Sequence, residues 1–383
     1  MPSTASGAIV LAVNMGSSSD YSAVFRGTED TRDYLSNPLY EEIEAYTQRW
    51  QIVKLDGSRV IQGFTESSEV DFKLLGYTSG GDPSYFTTPV DVTPAAVAAW
   101  TTVDVSASVD AEADGVVLLV DSISSEDRGY GIRETGSTDS ADLLELEEYG
   151  NTMYLVGIDT LNQFSAYIQD SDVRIYLVAQ TKGSVVYYVN NVPVADPAQG
   201  SWQVLDADDY SVAAEANGLI LAAEKNKAGD KRLSFRRGGS TDDWGVGDIG
   251  HGTQLQAGVG LNDQNVWEEY MESDAADVWI AAYTRFLTWD VHADMDILVR
   301  QASGLVRATL ASETANSGVI SSATWQGYLA SHVFPAYTVV DQTDYLEIDL
   351  FADSVTNDFS RAMSVDFRID DAVYPVSTQT NID

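Results

Sequence analysis

The chain has 383 residues, of which 59 are acidic and 21 are basic, so its formal net charge is −38. Cysteine is absent, which excludes a disulfide framework and thiolate metal sites. The charge argues against binding to nucleic acid or anionic lipid, and no run of eighteen apolar residues is present that would insert into a membrane.

The acidic composition also bears on the environment of the protein. Only six of the 21 basic residues are lysine. Repulsion among surface carboxylates is screened within about 3 Å at 1 M salt, so a composition of this kind suits a surface that works in high salt. We therefore expect a halophilic or marine source, the alternative being an ordinary soluble surface that does not adhere to others.

The first predicted module spans residues 1–80. An apolar run starts at Gly7, and strand-like runs start at Trp50 and Val70. A glycine- and proline-containing stretch follows Thr78 and predicts a linker.

Two further modules, residues 88–184 and 192–285, repeat this order. Their apolar runs start at Gly115 and Gly218, 103 positions apart, which is too long for the units of a solenoid. Each also has a proline-rich stretch and a tryptophan strand ahead of its glycine, starting at Trp100 and Trp202.

Module one reaches Gly7 without such a strand, so we expect its sheet to have an open edge. The linker or the C-terminal tail could fill this edge. We favour a neighbouring chain or a partner protein, which would make residues 1–80 the anchoring end of the molecule.

Residues 286–383 are predicted to form a distinct C-terminal β domain. Leu346–Phe351 and Val365–Asp370 alternate strictly between apolar and polar residues, as half-buried strands do. Further short strands are expected within 299–310 and 325–340. The whole chain is therefore predicted to be all-β, built from tandem antiparallel β-sandwich, jelly-roll-like domains.

The motif R-x-x-G-S-T-D occurs twice, at Arg133–Asp139 and Arg236–Asp242, with a worn copy at Gly27–Asp30. In the structural interpretation, which we favour, glycine supplies a positive φ and the polar side chains bond to the local backbone. The arginine would then pair with that aspartate or a neighbouring acid. In the functional interpretation, Asp139 and Asp242 are oxygen ligands of a structural divalent cation or line a sugar site at a loop tip.

Other motifs give no indication of catalysis. The G-x-G-x-x-G at 245–250 is not followed by a helical pattern, so it is interpreted as a loop and not as a dinucleotide site. The carboxylates in 110–115 resemble the start of a calcium loop, although a turn before a strand is the favoured interpretation. We expect a protein that is not an enzyme and needs no cofactor apart from the candidate cation.

One basic cluster stands out in this acidic chain. Either its charges pair with nearby acids, or it forms a contact patch for an acidic neighbour such as a second copy of the chain. Its members are Lys225, Lys227, Lys231, Arg232, Arg236 and Arg237.

The repeated tryptophan strand, glycine strand and R-x-x-G-S-T-D turn resemble β-sandwich modules in structural proteins of tailed viruses, over roughly residues 1–285. Such modules occur in fibres, baseplates and capsid decorations of the turret or spike type. The resemblance implies a virion component that assembles in the host cytoplasm, which agrees with the lack of a secretory signal at the start of the sequence.

The resemblance further implies a homo-oligomer that contacts other virion proteins, with a host cell-surface glycan as a further candidate partner. The alternative function is an extracellular, lectin-like carbohydrate-binding protein. A hydrolase on a β scaffold ranks last.

Overall fold

The computed structural model consists of two compact units, Met1–Phe286 and Leu287–Asp383. It describes residues 1–2, 5–30, 42–43, 45, 47–79, 82–139, 144–146, 148–195, 197–225, 231–241, 247–249, 254–272, 276–285, 289–301, 303, 305–320, 345–357, 363–369 and 376–382. Within these residues the elements are antiparallel strands and one 3₁₀ turn, Ala207–Tyr210. The predicted all-β, sandwich-like fold is confirmed.

The first unit contains three pairs of sheets, here called modules one, two and three. Module one has β1 (Ala5–Asn14), β2 (Tyr21–Gly27), β3 (Glu42–Ile43), β4 (Gln48–Lys54), β5 (Ile61–Thr65) and β6 (Val70–Ser79). Module two has β7 (Ser84–Asp91), β8 (Thr101–Asp104), β9 (Gly115–Ser122), β10 (Arg128–Glu134), β11 (Leu144–Leu146), β12 (Asn151–Gly157), β13 (Gln163–Ile168) and β14 (Val173–Thr181). Module three has β15 (Val185–Pro193), β16 (Trp202–Asp206), β17 (Ala216–Lys225), β18 (Lys231–Arg237), β19 (Gly247–Ile249), β20 (Gln254–Gly260), β21 (Val266–Met271) and β22 (Ala276–Arg285).

Modules two and three have the strand order of a jelly roll. The sheets of module two run β7-β14-β9-β12 and β8-β13-β10-β11. Counted from 1 to 8 within the module, these orders are 1-8-3-6 and 2-7-4-5, which is the eight-stranded, two-sheet arrangement of a jelly roll. Module three repeats both orders with β15-β22-β17-β20 and β16-β21-β18-β19.

Module one matches the same plan from position 3 onward. Its sheets run β4-β1-β6 and β3-β2-β5, which correspond to positions 6-3-8 and 5-4-7. No described residue of the chain supplies positions 1 and 2. Consequently β6 and β5 stand at sheet edges, whereas their counterparts in the other modules are interior strands.

Each sandwich buries its own core, and the glycine strands also bury their second face. In β9, Val116, Leu118 and Val120 point into the sandwich of module two, while Val117 and Leu119 join a different apolar cluster. Every residue of β9 is therefore buried. A strand with both faces covered needs an uninterrupted apolar run, which this sequence has.

The second cluster is a core shared by all three modules. Because a fully buried aliphatic side chain contributes about 1.5–3 kcal/mol, this core accounts for the packing of the modules into one compact unit. Its buried members are Leu11, Val13, Trp50, Ile52, Val117, Leu119, Met153, Leu155, Ala179, Val185, Ile220, Ala222, Ala281 and Ala282.

A buried amide links modules two and three beside this core. Gln256 on β20 accepts the backbone N–H of Leu155 at 2.5 Å and donates to the carbonyl of the same residue at 3.0 Å. Leu155 lies on β12, at the edge of its sheet. One side chain of module three therefore pairs the edge groups of a strand in module two, which prevents the cost of burying them unpaired.

The second unit contains β23 (Trp289–Arg300), β24 (Val306–Ile320), β25 (Tyr345–Asn357), β26 (Met363–Ile369) and β27 (Val376–Ile382). Its sheets run β24-β23-β25 and β26-β27, all antiparallel. The alternating stretch Leu346–Phe351 lies in β25 and 365–369 lies in β26, as predicted, while Asp370 lies outside the described residues. The stretch expected within 325–340 lies outside the described residues.

Candidate functional site

The G-S-T-D turn of module two is bound to the strand that enters module three. Gly136 has φ of 91°, the conformation for which glycine was expected there. Ser137 and Thr138 donate to the side-chain oxygen of Asn190 on β15, the backbone N–H of Thr138 at 2.9 Å. Asp139 accepts the backbone N–H of Asn191 at 2.7 Å. The turn therefore fastens one module to the next.

The arginine of each motif copy stacks on the tryptophan of the same module. The guanidinium carbon of Arg133 lies 4.1 Å from the ring centre of Trp100, and that of Arg236 lies 4.0 Å from that of Trp202. A cation over an aromatic face is attracted by the ring quadrupole. The recurring arginine and the recurring tryptophan thus form one structural pair that joins strands 2 and 4 of the jelly roll.

The two arginines differ in their acidic partners. Arg133 donates to the backbone carbonyl of Asp139 at 2.8 Å. Arg236 donates through Nε and Nη2 to the carboxylate of Glu268, both at 2.6 Å, and that carboxylate also accepts the backbone N–H of Gly239. The expected pairing with a neighbouring acid is therefore seen for Arg236, while Arg133 uses a carbonyl of the motif aspartate.

The candidate cation ligands are placed as follows. One carboxylate oxygen of Asp139 accepts a backbone N–H, and its role as an oxygen ligand stays a prediction. Asp242 lies outside the described residues. Among the residues that the structure describes, no group of three or more histidine, aspartate or glutamate side chains has the spacing of a metal site.

A tyrosine from each following module covers the glycine at the start of β1 and β9. A Cβ atom added at Gly7 would lie 2.1 Å from Oη of Tyr85, and one added at Gly115 would lie 2.1 Å from the ring of Tyr187. Only glycine allows so close an approach. Burial raises the pKa of both tyrosine hydroxyls, so both remain protonated at neutral pH.

Each tyrosine also bonds to a threonine that recurs at the end of strand 8. The Tyr85 hydroxyl lies 2.9 Å from Oγ1 of Thr78, and the Tyr187 hydroxyl lies 3.2 Å from Oγ1 of Thr181. We call this tyrosine, glycine and threonine arrangement the junction clasp. Sequence reasoning missed its tyrosines, although they follow the threonines by seven and six positions.

The residue before the glycine completes the clasp. Asp114 accepts the Thr181 hydroxyl at 2.6 Å and the backbone N–H of Gly183. In module three, Asn217 holds the same place and accepts the Thr284 hydroxyl at 2.6 Å. Burial raises the pKa of Asp114, partly offset by these two hydrogen bonds. The calcium-loop resemblance around Asp114 therefore corresponds to a turn before a strand.

The ends of the three modules meet at the linkers. Asp82, between modules one and two, accepts the backbone N–H groups of Lys182 and Ser184, between modules two and three. Arg285, at the end of module three, donates to the carbonyl of Gly183 at 3.0 Å. These contacts bring the two linkers and the end of module three together beside the clasp.

The basic cluster is partly described. Arg236 pairs with Glu268, as described above. The next residue, Arg237, donates to the carbonyl of Leu261 at 3.0 Å, and its guanidinium lies 3.5 Å from the carboxylate of Asp263. Lys227 lies outside the described residues. Pairing with acids of the same module is thus seen for two arginines, and a contact patch for an acidic neighbour stays a prediction.

Comparison of the chain with protein-family models, curated proteins and solved structures finds no match. Within the described part of the chain, no helix is long and apolar enough to cross a membrane. The residues of the chain themselves must therefore carry any proposal of function.

Proposed function

We propose that the protein is a non-enzymatic structural component of a virus particle, of the capsid-decoration, turret, spike or tail type. The observation that carries this proposal is that the recurring residues make contacts between modules. The G-S-T-D turn of module two, the clasp tyrosines and the linker contacts bind one module to another.

The architecture supports the same function. Jelly rolls are a recurrent building block of viral capsids, and also of lectins, so the fold alone does not separate the two classes. Three sandwiches joined by a shared core form a large block with few internal degrees of freedom, which suits a component that transmits load. The high negative charge keeps copies apart until specific contacts form.

Mass spectrometry of particles banded in a density gradient tests this proposal. We expect the chain in the particle fraction, in constant ratio to a capsid protein through repeated banding. Recovery of the chain as free secreted protein, with saturable binding of the monomer on a glycan array, would contradict the proposal and favour the lectin-like alternative.

A further inference from the structure

Module one leaves core positions of a jelly roll uncovered. Leu74 on β6 pairs with Val10, at the register position where Leu177 pairs with Leu118 in module two. Leu177 is 0% exposed, whereas Leu74 is 55% exposed. The residue type is the same and the environment is not, because strand 1 covers Leu177 and has no counterpart among the described residues of module one.

Phe72 shows the same contrast two residues earlier on β6. Its counterparts Ile175 and Val278 are 0% and 3% exposed, while Phe72 is 38% exposed. Phe72 packs against Phe25, with ring centres 4.4 Å apart, so its outer side alone is uncovered. Module one thus carries apolar side chains suited to a complete sandwich.

These residues form one patch along the two open edges. Five large apolar side chains on β5 and β6 are 37–55% exposed: Phe64, Phe72, Leu74, Leu75 and Tyr77. Since an aromatic side chain buries about 150–250 Å², the patch amounts to roughly 400 Å² of apolar surface. A patch of this size, on strands that stand at the edges of their sheets, marks an interaction surface.

Module two shows what fits these edges. Its strand 1, β7, pairs with β14 so that Val90 stands opposite Leu177. The chain then crosses to the other sheet, where β8 pairs with β13 and buries Val103. The missing part is therefore one extended segment that adds a strand to each sheet, of about 20 residues, which is what one side of a standard interface contributes.

We propose that module one binds an extended segment of another polypeptide, which completes its jelly roll by adding strands beside β6 and β5. The segment has apolar residues at alternating positions in two short stretches, as in Ser84–Asp104. Backbone hydrogen bonds supply affinity and the alternating side chains supply specificity. A second copy of this chain is a poor donor, because both described segments of this pattern are paired within their own modules. The proposal does not depend on the particle being viral.

Binding of matched peptides to the full chain tests the proposal. The probes are two synthetic peptides with the sequences of residues 84–105 and 185–207. We expect saturable one-to-one binding of at least one peptide by isothermal titration calorimetry. A control version of the first peptide, with Val90→Asp and Val103→Asp, should bind about tenfold more weakly or not at all.

Hydrogen exchange locates the bound peptide. The amides of β5 and β6 that face away from β2 and β1 should exchange rapidly in the free chain and become protected on binding, while those of β14 stay unchanged. The variant Leu74→Asp should weaken binding by about tenfold or more. Leu161→Asp is the matched control, since Leu161 is an exposed leucine at 65% on a turn of module two.

Three outcomes overturn the proposal. The first is that neither peptide binds. The second is that the amides of β5 and β6 facing away from β1 and β2 are protected in the monomeric chain without peptide, which would show that the chain covers its own edge. The third is that their protection rises only with self-association, which would show that a second copy covers the edge. Equal effects of Leu74→Asp and Leu161→Asp would likewise remove module one as the acceptor.

Discussion

The junction clasp makes a sharp prediction at Gly115. In Gly115→Ala the new Cβ would lie 2.1 Å from Cε2 of Tyr187, nearer than van der Waals contact permits. The ring must move, because Gly115 lies on a strand buried on both faces and paired with strands on both sides. Moving the ring breaks the 3.2 Å hydrogen bond between Tyr187 and Thr181.

The magnitude follows from three opposing effects. Overpacking a well-packed site costs about 1–3 kcal/mol. Losing the buried hydrogen bond costs about 0.5–1.5 kcal/mol more. Replacing glycine by alanine gains about 0.4–1 kcal/mol by restricting the unfolded chain. The net destabilisation is about 0.5–4 kcal/mol, and at about 2–4 °C per kcal/mol the Tm falls by roughly 1–16 °C.

Scanning calorimetry at constant high salt measures the shift, with Gly258→Ala as the matched control. A Cβ at Gly258 meets nothing nearer than Cδ1 of Ile220 at 3.9 Å, so its Tm should stay level or rise slightly. In a Tyr187→Ala background, Gly115→Ala should no longer cost stability. The clasp is refuted if Gly115→Ala is as harmless as the control, or equally costly without the tyrosine.

Three further predictions follow from the ion pairs, the buried carboxyl and the surface charge. Arg236→Met should lower the free energy of unfolding, measured by chemical denaturation, by about 3 kcal/mol, because it leaves the Glu268 carboxylate buried without its cation. Arg133→Met loses an aromatic contact and one hydrogen bond and should cost about 1–2 kcal/mol. Equal costs for the two variants would show that the ion pair with Glu268 adds nothing to stability. Burial raises the pKa of Asp114, so its carboxyl group binds a proton more tightly in the folded chain than in the unfolded chain. Ionisation of Asp114 therefore lowers the stability of the fold as pH rises above the ordinary carboxyl range. The Tm of Asp114→Asn should therefore improve relative to wild type as pH rises from about 4 to 7, and a difference that is constant with pH would contradict the assignment. Finally, the net charge of −38 predicts that the Tm of the wild type rises between low salt and about 1 M salt; a Tm that is level or falls would exclude the halophilic source.

The glycine-led strands could be predicted because their signal is local. The apolar runs after Gly7, Gly115 and Gly218 became β1, β9 and β17. The same runs also held a signal that was not used. Apolar residues at consecutive positions indicate that both faces of a strand are buried. The surface that covers the second face lies about one domain away along the chain, and the pattern within the strand does not identify it.

Strand 1 of the jelly roll was missed because it contains turn-forming residues. Pro89 in β7 and Pro193 in β15 were interpreted as boundaries, so modules two and three were predicted to begin at 88 and 192. The strands in fact begin at Ser84 and Val185. Both lie at a sheet edge, where proline is tolerated because its missing N–H faces away from the ladder.

In the candidate site, contacts within the motif could be predicted, and contacts with the next module could not. The positive φ of Gly136 and the hydrogen bond from Arg133 to Asp139 follow from residues within the motif, whereas the stacking of each arginine on a tryptophan was not predicted. The acceptor Asn190 could not be found from the motif, since it belongs to the next module and meets the turn only through the fold. The clasp tyrosines had a sequence signal, their positions seven and six residues after Thr78 and Thr181, which a comparison of the junctions would have detected.

The first strand of each complete module has two roles, and these couple the modules. β7 closes the sandwich of module two by pairing with β14, and its Tyr85 also covers Gly7 and bonds Thr78 in module one. β15 does the same for modules three and two through Tyr187. Opening a complete module at strand 1 therefore uncovers the glycine strand of the module before it as well. Because the glycine strands of all three modules also meet in the shared core, loss of one exposes apolar surface on the others. Local opening is then confined to strands outside this circuit, and β5 of module one is such a strand, with Phe64 37% exposed.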